Sequence, residues 1–457
     1  MSNAAPKHVY FVGIGGIGMS ALARYYLTRD IKVSGYDLNE TELTRTLVRE
    51  GAEIHYGDRP DDVPSDIDLA IYTPAIPADF GELQVLRKRD LPLVKRAEAL
   101  GRISQQTRTL AVAGTHGKTT TSAMAAYLLE ETGQRPVAFL GGISANYGTN
   151  YLAGEGEWMV VEADEYDRSF LQLRPDVAIV TFIEPDHLDI YGEKSAFEDG
   201  FRDFVTLVNS RRGTLVTKPH IAEALRRSLG DLRVRTYGLY DDVGDGALDY
   251  SARDIRLEDG AFVFDLHAPE GVFAGIRLAM PGRHNVENAV AALAAAAASG
   301  VAVNKLVAAL PGFRGVARRF EILGKWRGAT VVSDYAHHPT EVAAAIATAN
   351  EFFSGYRVVG IFQPHLYSRT RDFAEEFAAA LSDLQTLVLL EVYPAREAPI
   401  SGVDSMAIFA HVSVEKRYLV HSSEAPALLE VLDGDVLLFM GAGDLDRVAR
   451  QLVGSPA

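Results

Sequence analysis

One stretch restricts the fold of this chain more than any other. Residues 111–121 read AVAGTHGKTTT, preceded by Arg108-Thr109-Leu110 and followed by SAMAAYLLEETG. An apolar run of β character ends in glycine, passes through Lys-Thr-Thr and enters an Ala/Leu-rich segment with helical spacing. That order predicts a strand, a phosphate loop and a helix. A helix N-terminus presents unpaired N–H groups and a partial positive charge, so it attracts phosphate. Gly114 and Gly117 let the main chain come close to that phosphate, Lys118 adds a full charge, and the hydroxyl of Thr119 can ligate a magnesium ion. Thr115, His116 and Thr120 complete the expected ATP-binding loop. The loop is short, because Val112 stands where the common motif has its first glycine. A ligand-free glycine turn with a surface lysine is the plainer alternative, and the strand and helix on either side favour the phosphate site.

At 457 residues the chain is too long for one core; at roughly 150 residues per domain it divides into about three. Hydrophobic content of 47% and charged content of 23% are those of a globular protein. Against 61 Asp and Glu there are 45 Lys and Arg, a net charge of −16, and that field disfavours nucleic acid or an anionic membrane as a partner. A nucleotide still fits, since a loop of N–H groups and one lysine outweighs diffuse surface charge at short range. The sequence leaves room for an oligomer and does not fix the oligomeric state. The absence of cysteine removes disulfides, thiolate nucleophiles and zinc-thiolate sites. No run approaches 18 apolar residues and no signal-like start is present, so a cytoplasmic location is expected. The longest apolar tract, Ala289 to Ala298, reads as a buried helix.

Strand and helix alternate along the chain. The first unit opens with His8 to Val12, then GIGGIG from Gly13 to Gly18, a helical run to about Arg29, and a strand from Lys32 to Tyr36 that ends at Asp37. This is the dinucleotide-type fingerprint of three glycines and a later acid, and it places a phosphorylated ligand on the first helix N-terminus without specifying which nucleotide. Strand 68–72 and helix 82–89 follow. The second unit holds the phosphate loop and strands 136–140, 158–162 and 177–182, the last two ending in EADEYD and IEPDHLD. From 249 to 280 period-two runs predict antiparallel hairpins, and a helix over 284–299 carries His284, Asn285 and Asn288 at its start. The third unit, from about Gly315, has strands at 329–332, 358–362, 386–391 and 435–440, ending respectively in DYAHHP, QPHLYSRTRD, VYPAREAPISG and GAG. In parallel sheets the functional groups collect beyond the C-terminal ends of strands, which is where Glu162 and His187 fall. A hard cation on ATP phosphates asks for oxygen ligands, so Glu162 and Thr119 suit Mg²⁺; the imidazole of His187 also admits Mn²⁺.

Taken in order, GTHGKTTT, EADEYD, PDHLD, HNVENA, RRF, DYAHHPTE, QPHLYSRTRD and YPAREAPISG resemble the Mur ligases of peptidoglycan synthesis, over nearly the whole length from Gly13 to Gly443. GIGGIGMS, the loop histidine and DYAHHPTE look most like the branch that adds L-alanine to UDP-N-acetylmuramate. The resemblance implies an α/β fold of three domains. Residues 1–106 would form a Rossmann-like UDP-sugar domain, 107–314 an ATPase domain with added antiparallel strands, and 315–457 a C-terminal domain that completes the ATP site and receives the amino acid. It also implies that ATP phosphorylates the lactyl carboxylate and that the amine of L-alanine displaces phosphate from the acyl phosphate.

Carried over by position, Gly13, Gly15, Gly16, Ile17, Gly18 and Asp37 would hold the UDP-sugar. Lys118 would meet the γ-phosphate, and Thr119, Glu162 and His187 the metal. Asn285, Asn288, Arg319 and Asp334 would contact ATP, with Lys118, Glu162, His187, Arg319 and Asp334 carrying the catalysis. Tyr335, His337, His365 and Arg369 would surround the incoming amino acid, Arg369 offering its carboxylate a guanidinium fork. One departure stands out: many members carry arginine directly after Gln-Pro-His, where this chain has Leu366, so Arg371 or Arg396 would take that charge or the pocket is built differently. Lys194 reads as a solvated lysine at a helix start. Two other readings compete: a recycling ligase attaching a ready-made tripeptide to the same sugar nucleotide, and, from another class, an NAD-dependent oxidoreductase built on GIGGIG and Asp37. A non-catalytic ATP-binding switch is a third. The oxidoreductase leaves everything from GTHGKTT onward without a role.

Overall fold

The computed structural model describes residues 5–184, 191, 193–243, 248–395, 397–432 and 434–454. The chain is an α/β protein that separates into two compact units. The first comprises Met1–Arg253, Asp265–Ile276 and Glu287–Phe313; the second comprises Asp254–Phe264, Arg277–Val286 and Arg314–Ala457.

The first unit begins with β1 (His8–Val12), β2 (Lys32–Asp37), β3 (Glu53–Tyr56), β4 (Leu69–Tyr72) and β5 (Leu93–Lys95). They form a sheet in the order β3-β2-β1-β4-β5, with every pairing parallel. Because both faces are covered, β1 is apolar without a break from Val9 to Val12: Val9 and Phe11 enter one cluster, Tyr10 and Val12 the other. The chain runs from β1 to β2 on one side and adds β4 on the other, so the crevice of a doubly wound sheet opens at the end of β1. The GIGGIG loop occupies that end and leads into helix Ile17–Leu27. The short edge strands β3 and β5 carry no clear period in sequence.

The second sheet of this unit uses β6 (Arg108–Ala113), β7 (Val137–Ser144), β8 (Thr149–Ala153), β9 (Trp158–Glu162), β10 (Val177–Val180), β11 (Thr214–Thr217) and β12 (Arg233–Leu239) in the order β12-β11-β10-β6-β9-β7-β8. All pairs are parallel except β7 with β8, a hairpin that the sequence pattern does not announce. β13 (Tyr250–Glu258) joins β12 in parallel through Tyr250 to Ala252. β14 (Ala261–Ala268) and β15 (Gly271–Leu278) form where the period-two runs predict strands. β6 is a second switch point, with β10 on one side and β9 on the other, and the phosphate loop leaves from its end. Helix Lys118–Glu131 buries every residue from Thr119 to Leu129, which explains its lack of a polar face.

One hydrophobic cluster runs through both sheets, from Val9, Phe11 and Leu22 to Ala111, Phe139, Val161 and Phe170. Helix Ile17–Leu27 packs on β7 and β8, with the Tyr25 ring 5.6 Å from that of Phe139.

The second unit contains β16 (Glu321–Trp326), β17 (Ala329–Asp334), β18 (Val358–Phe362), β19 (Thr386–Leu390), β20 (Lys416–Val420) and β21 (Val436–Met440), ordered β16-β17-β21-β18-β19-β20. Only β16 is antiparallel to its neighbour. Alternate residues of β21 serve the two faces: Val436, Leu438 and Met440 on one, Leu437 and Phe439 on the other. Strands predicted at 158–162 and 358–362 match residue for residue, the predicted strand 177–182 stops at Val180, and the alanine-rich helix spans Arg283–Ala298 with Ala289 to Ala296 buried.

Candidate active site

The phosphate loop is shaped by two glycines and stapled to the next strand. Gly114 has φ +122°, and a Cβ there would sit 2.2 Å from Thr181 Oγ1; Gly117 has φ +80°, and its Cβ would lie 2.6 Å from Asn288 Oδ1. Neither position admits a side chain, on grounds of both conformation and space. Thr181 Oγ1 donates to the His116 carbonyl at 2.5 Å, and Thr115 Oγ1 donates to the Glu184 carbonyl at 3.0 Å while accepting the Glu184 N–H at 2.9 Å. His116 lies with Nε2 3.0 Å from Glu184 Oε2 and its ring edge-on to Phe182. Thr119 and Thr120 are buried in the first helical turn.

Lys118 folds back over this loop. Its Nζ donates to the Gly114 carbonyl at 2.7 Å, to the Thr115 carbonyl at 3.3 Å and to Glu165 Oε1 at 2.8 Å. Burial alone would discharge the ammonium, but the carboxylates of Glu165, Asp164 and Glu162 outweigh it and hold the lysine above its ordinary range. Glu165 is the partner that sequence reasoning missed. In EADEYD the strand end pointed to Glu162, whereas Glu165 comes three residues later and is only 1% exposed; Tyr191 Oη donates to its carbonyl at 2.6 Å. The only sequence signal was a third acid in a short run.

Glu162 ends β9 directly beside Val112 of β6. Its Oε2 is buried with no hydrogen-bond partner among the described residues, the condition of a carboxylate awaiting a cation. A Cβ on Gly141 would sit 2.0 Å from that oxygen. Glu162 also lines a cavity of about 250 Å³ whose other walls include Gly16, Ile17, Gly18, Arg96 and Gly141. Arg96, which the sequence did not single out, reaches Asp164 Oδ2 with Nη2 at 3.3 Å. The cavity therefore joins the end of the first glycine loop to the Glu162 carboxylate at the end of β9 in the second sheet. Gly13 has φ +89° and packs on Thr73, while the Asp37 carboxylate accepts the Gly15 N–H at 2.6 Å, tying the end of β2 to the loop. His187 lies outside the described residues, as does Arg396. Lys194 is exposed at the start of helix Lys194–Ser210.

Asn288 stands against Gly117, and Asn285, one turn earlier, is buried with Nδ2 donating to the Pro281 carbonyl at 2.6 Å. In the second unit Asp334 ends β17 and accepts the N–H groups of Phe320 and Ala336, both at 2.7 Å. It thereby secures the Arg318-Arg319-Phe320 turn, in which Arg318 and Phe320 have positive φ. Arg318 donates to the Gly441 and Gly443 carbonyls at 2.9 Å each, and the Arg319 guanidinium lies 5.1 Å from the Tyr335 ring centre. His284 is kept neutral, its pKa lowered to about 4 by burial and then by Arg319.

Around the expected amino-acid site, His337 Nδ1 is 2.9 Å from the Tyr335 carbonyl and 3.2 Å from Glu341 Oε2. Its ring is 6.1 Å from that of His365, which stacks on Tyr393 at 5.7 Å. Tyr393 is an aromatic wall that the sequence reading did not name. Arg369 is buried in helix Tyr367–Asp372, whereas Arg371 is exposed and paired with Asp372. Leu366 is buried with φ +72°, its N–H donating to the Tyr393 carbonyl at 3.0 Å.

Asp334 makes a pH prediction. Burial raises its carboxyl to about 6, against the pull of Arg319 and the two N–H donors. Protonation would set an O–H against an N–H and loosen the Arg319 turn, so turnover should rise with pH through an apparent pKa near 6, and Asp334→Asn should flatten that limb. Stability moves the other way: a raised folded-state pKa contributes stability that is complete below the unfolded value near 3.8 and is lost as pH rises through about 6. Melting temperatures alongside the pH-rate profile separate the two, since acid inactivation at this group should occur without unfolding.

The comparisons with known proteins cover the same ground. The Mur ligase family catalytic domain matches residues 8–108, the Mur ligase middle domain 112–296, and the Mur ligase glutamate ligase domain 318–443. The chain is 46% identical, over 97% of both sequences, to UDP-N-acetylmuramate–L-alanine ligase of Porphyromonas gingivalis, and 43% identical to the protein of that name from Christiangramia forsetii, over 96% of this chain and 95% of that one. Among solved structures it is similar to UDP-N-acetylmuramate-alanine ligase from Thermotoga maritima, with TM-score 0.81 and 31% identity over 98% of this chain and 99% of that one. A murein peptide ligase from Psychrobacter arcticus shares the fold at TM-score 0.72 and 23% identity, over 98% of each chain.

Proposed function

The chain belongs to the Mur ligase family, and on that premise we infer that it joins L-alanine to the lactyl carboxylate of UDP-N-acetylmuramate in an ATP-consuming step of peptidoglycan precursor synthesis. The observation that carries the site is the cavity bounded on one side by Gly16 to Gly18 and on the other by Gly141 and Glu162. It brings a loop suited to a sugar-nucleotide pyrophosphate next to the strand end where phosphoryl transfer would occur. The full-length likeness to alanine-adding ligases favours this reading over tripeptide recycling.

In this reading residues 1–106 bind the UDP-sugar, 107–314 bind ATP and 315–457 receive the amino acid. Lys118 exchanges a loop carbonyl or Glu165 for the γ-phosphate, and the N–H groups of the loop and helix start take the remaining phosphate oxygens. A divalent ion, Mg²⁺ or Mn²⁺, would be held by Thr119 and Glu162, with His187 beyond the described residues, and would neutralise charge on the phosphate oxygens. The lactyl carboxylate oxygen attacks the γ-phosphorus and ADP leaves. The amine of L-alanine then adds to the acyl carbon, loses a proton, and expels inorganic phosphate as the amide forms. Arg319 and Asp334 serve the nucleotide, and Tyr335, His337, His365 and Arg369 the amino acid, whose carboxylate suits the Arg369 fork. Among the described residues no helix is long and apolar enough to cross a membrane, which accords with work in the cytoplasm, where ATP is supplied.

The test is isotopic. With ¹⁸O in the lactyl carboxylate, one labelled oxygen should appear in the released phosphate, and only when both ATP and L-alanine are present. Phosphate free of label would reject the acyl-phosphate route, and preference for a murein tripeptide in direct competition would move the chain to the recycling branch.

A further inference from the structure

The first glycine loop is held from outside its own sheet. Asn150, on β8, is fully buried, and so is Ser20 on helix Ile17–Leu27. Asn150 Nδ2 donates to the Ile17 carbonyl at 2.6 Å and to Ser20 Oγ at 3.1 Å. Its Oδ1 accepts from Nη1 of Arg24, whose Nε reaches Glu50 Oε2 at 2.8 Å. The orientation of this amide is dictated by chemistry, since Arg24 can only donate and the Ile17 carbonyl can only accept.

The Ile17 carbonyl shares a planar peptide unit with the Gly18 N–H, so fixing one fixes the direction of the other. In the first turn of a helix that N–H has no partner within the helix and points past the N-terminus. Gly16, Ile17 and Gly18 all line the cavity. We propose that Asn150 is a positioning residue for the sugar nucleotide: from the ATP-binding sheet it sets the Ile17–Gly18 peptide so that the Gly18 N–H is aimed at the pyrophosphate. The proposal rests on the assignment of the GIGGIG loop to the UDP-sugar. It gives Asn150 a role for one substrate while it sits in the sheet that serves the other.

The experiment compares Asn150→Asp, which sets an oxygen against the Ile17 carbonyl, with Asn150→Ala and wild type. KM is measured for UDP-N-acetylmuramate and for ATP, and the sugar nucleotide Kd by calorimetry without ATP. Expected are a rise of roughly tenfold or more in KM and Kd for the sugar nucleotide in Asn150→Asp, a smaller rise in Asn150→Ala, and a KM for ATP within about twofold of wild type. Equal rises for both nucleotides would mean general loosening and overturn the proposal, as would an unchanged sugar-nucleotide Kd. Should Asn150→Asp fail to fold, Asn150→Ser, smaller and still a donor, carries the same comparison. Gly18→Val tests the loop itself. If it weakens the sugar nucleotide while the Asn150 variants do not, only the role of Asn150 falls; if neither has an effect, the assignment of the loop falls with it.

Discussion

Lys118→Ala should lower turnover by roughly 10³-fold or more, because the γ-phosphoryl group loses the fixed charge that offsets its developing negative charge. The same substitution should also weaken the fold. Glu165 is 1% exposed and faces Lys118 at 2.8 Å, and a buried carboxylate stripped of its partner costs about 3–5 kcal/mol. A single alanine variant therefore mixes two effects. Replacing both members, Lys118→Met with Glu165→Leu, removes the stranded charge and should recover most of the stability seen by denaturant unfolding while activity stays lost. Recovery of activity in the double variant, or near-wild-type turnover in Lys118→Ala, would reject the phosphate role of this lysine.

Gly141→Ala is the second large effect, and it falls on a residue with no motif around it. The backbone at Gly141 has ordinary φ, so alanine is allowed there, but its methyl would overlap the Glu162 carboxylate, with Oε2 at 2.0 Å and Cδ at 2.4 Å. The carboxylate is the free end of a flexible side chain and can swing away. The expected result is thus displacement of the proposed metal ligand, Glu162, with little loss of stability. A misplacement of about 1 Å at a reacting centre can cost roughly 10²-fold. Turnover should fall by about that factor, and the Mg²⁺ concentration for half-maximal rate should rise, with the melting temperature nearly unchanged. A large drop in melting temperature with an unchanged Mg²⁺ requirement would show that Gly141 serves packing and not the carboxylate.

The two predictions mark where sequence reasoning ends. Lys118 was legible because a phosphate loop is local: the strand, the glycines, the cation and the helix lie within about two dozen residues, and each has a residue signature. The same holds for the strand-ending Glu162 and Asp334, since charges immediately after apolar runs stand out. Gly141, Glu165 and Arg96 were not legible. Their meaning lies in what faces them across strands and loops, and Glu165 sits in a run of acids that looks solvated until its burial is known. Tyr393 was missed for the same reason, because its pairing with His365 joins residues far apart in the chain.

Parallel order could be anticipated from alternating strands and helices, but the β7–β8 hairpin could not, since its turn lacks a strong punctuating pair and its first strand continues through Gly141 and Gly142. About three domains were expected from length. That the first two share one hydrophobic cluster was not, because a helix face shows only that it is apolar and not which sheet it meets.

By itself the sequence determined the local chemistry: two glycine loops at strand ends, their cation and carboxylates, and the order of motifs that identifies the family. Those features depend on neighbours within a turn or two of chain, where covalent connection dictates geometry. It took the folded chain to settle which carboxylate meets Lys118, that Glu162 Oε2 has no hydrogen-bond partner among the described residues, and that Asn150 reaches across to the first glycine loop. Such pairings depend on sheet order and helix packing, which bring together residues 47 positions apart for Lys118 and Glu165 and 133 apart for Asn150 and Ile17.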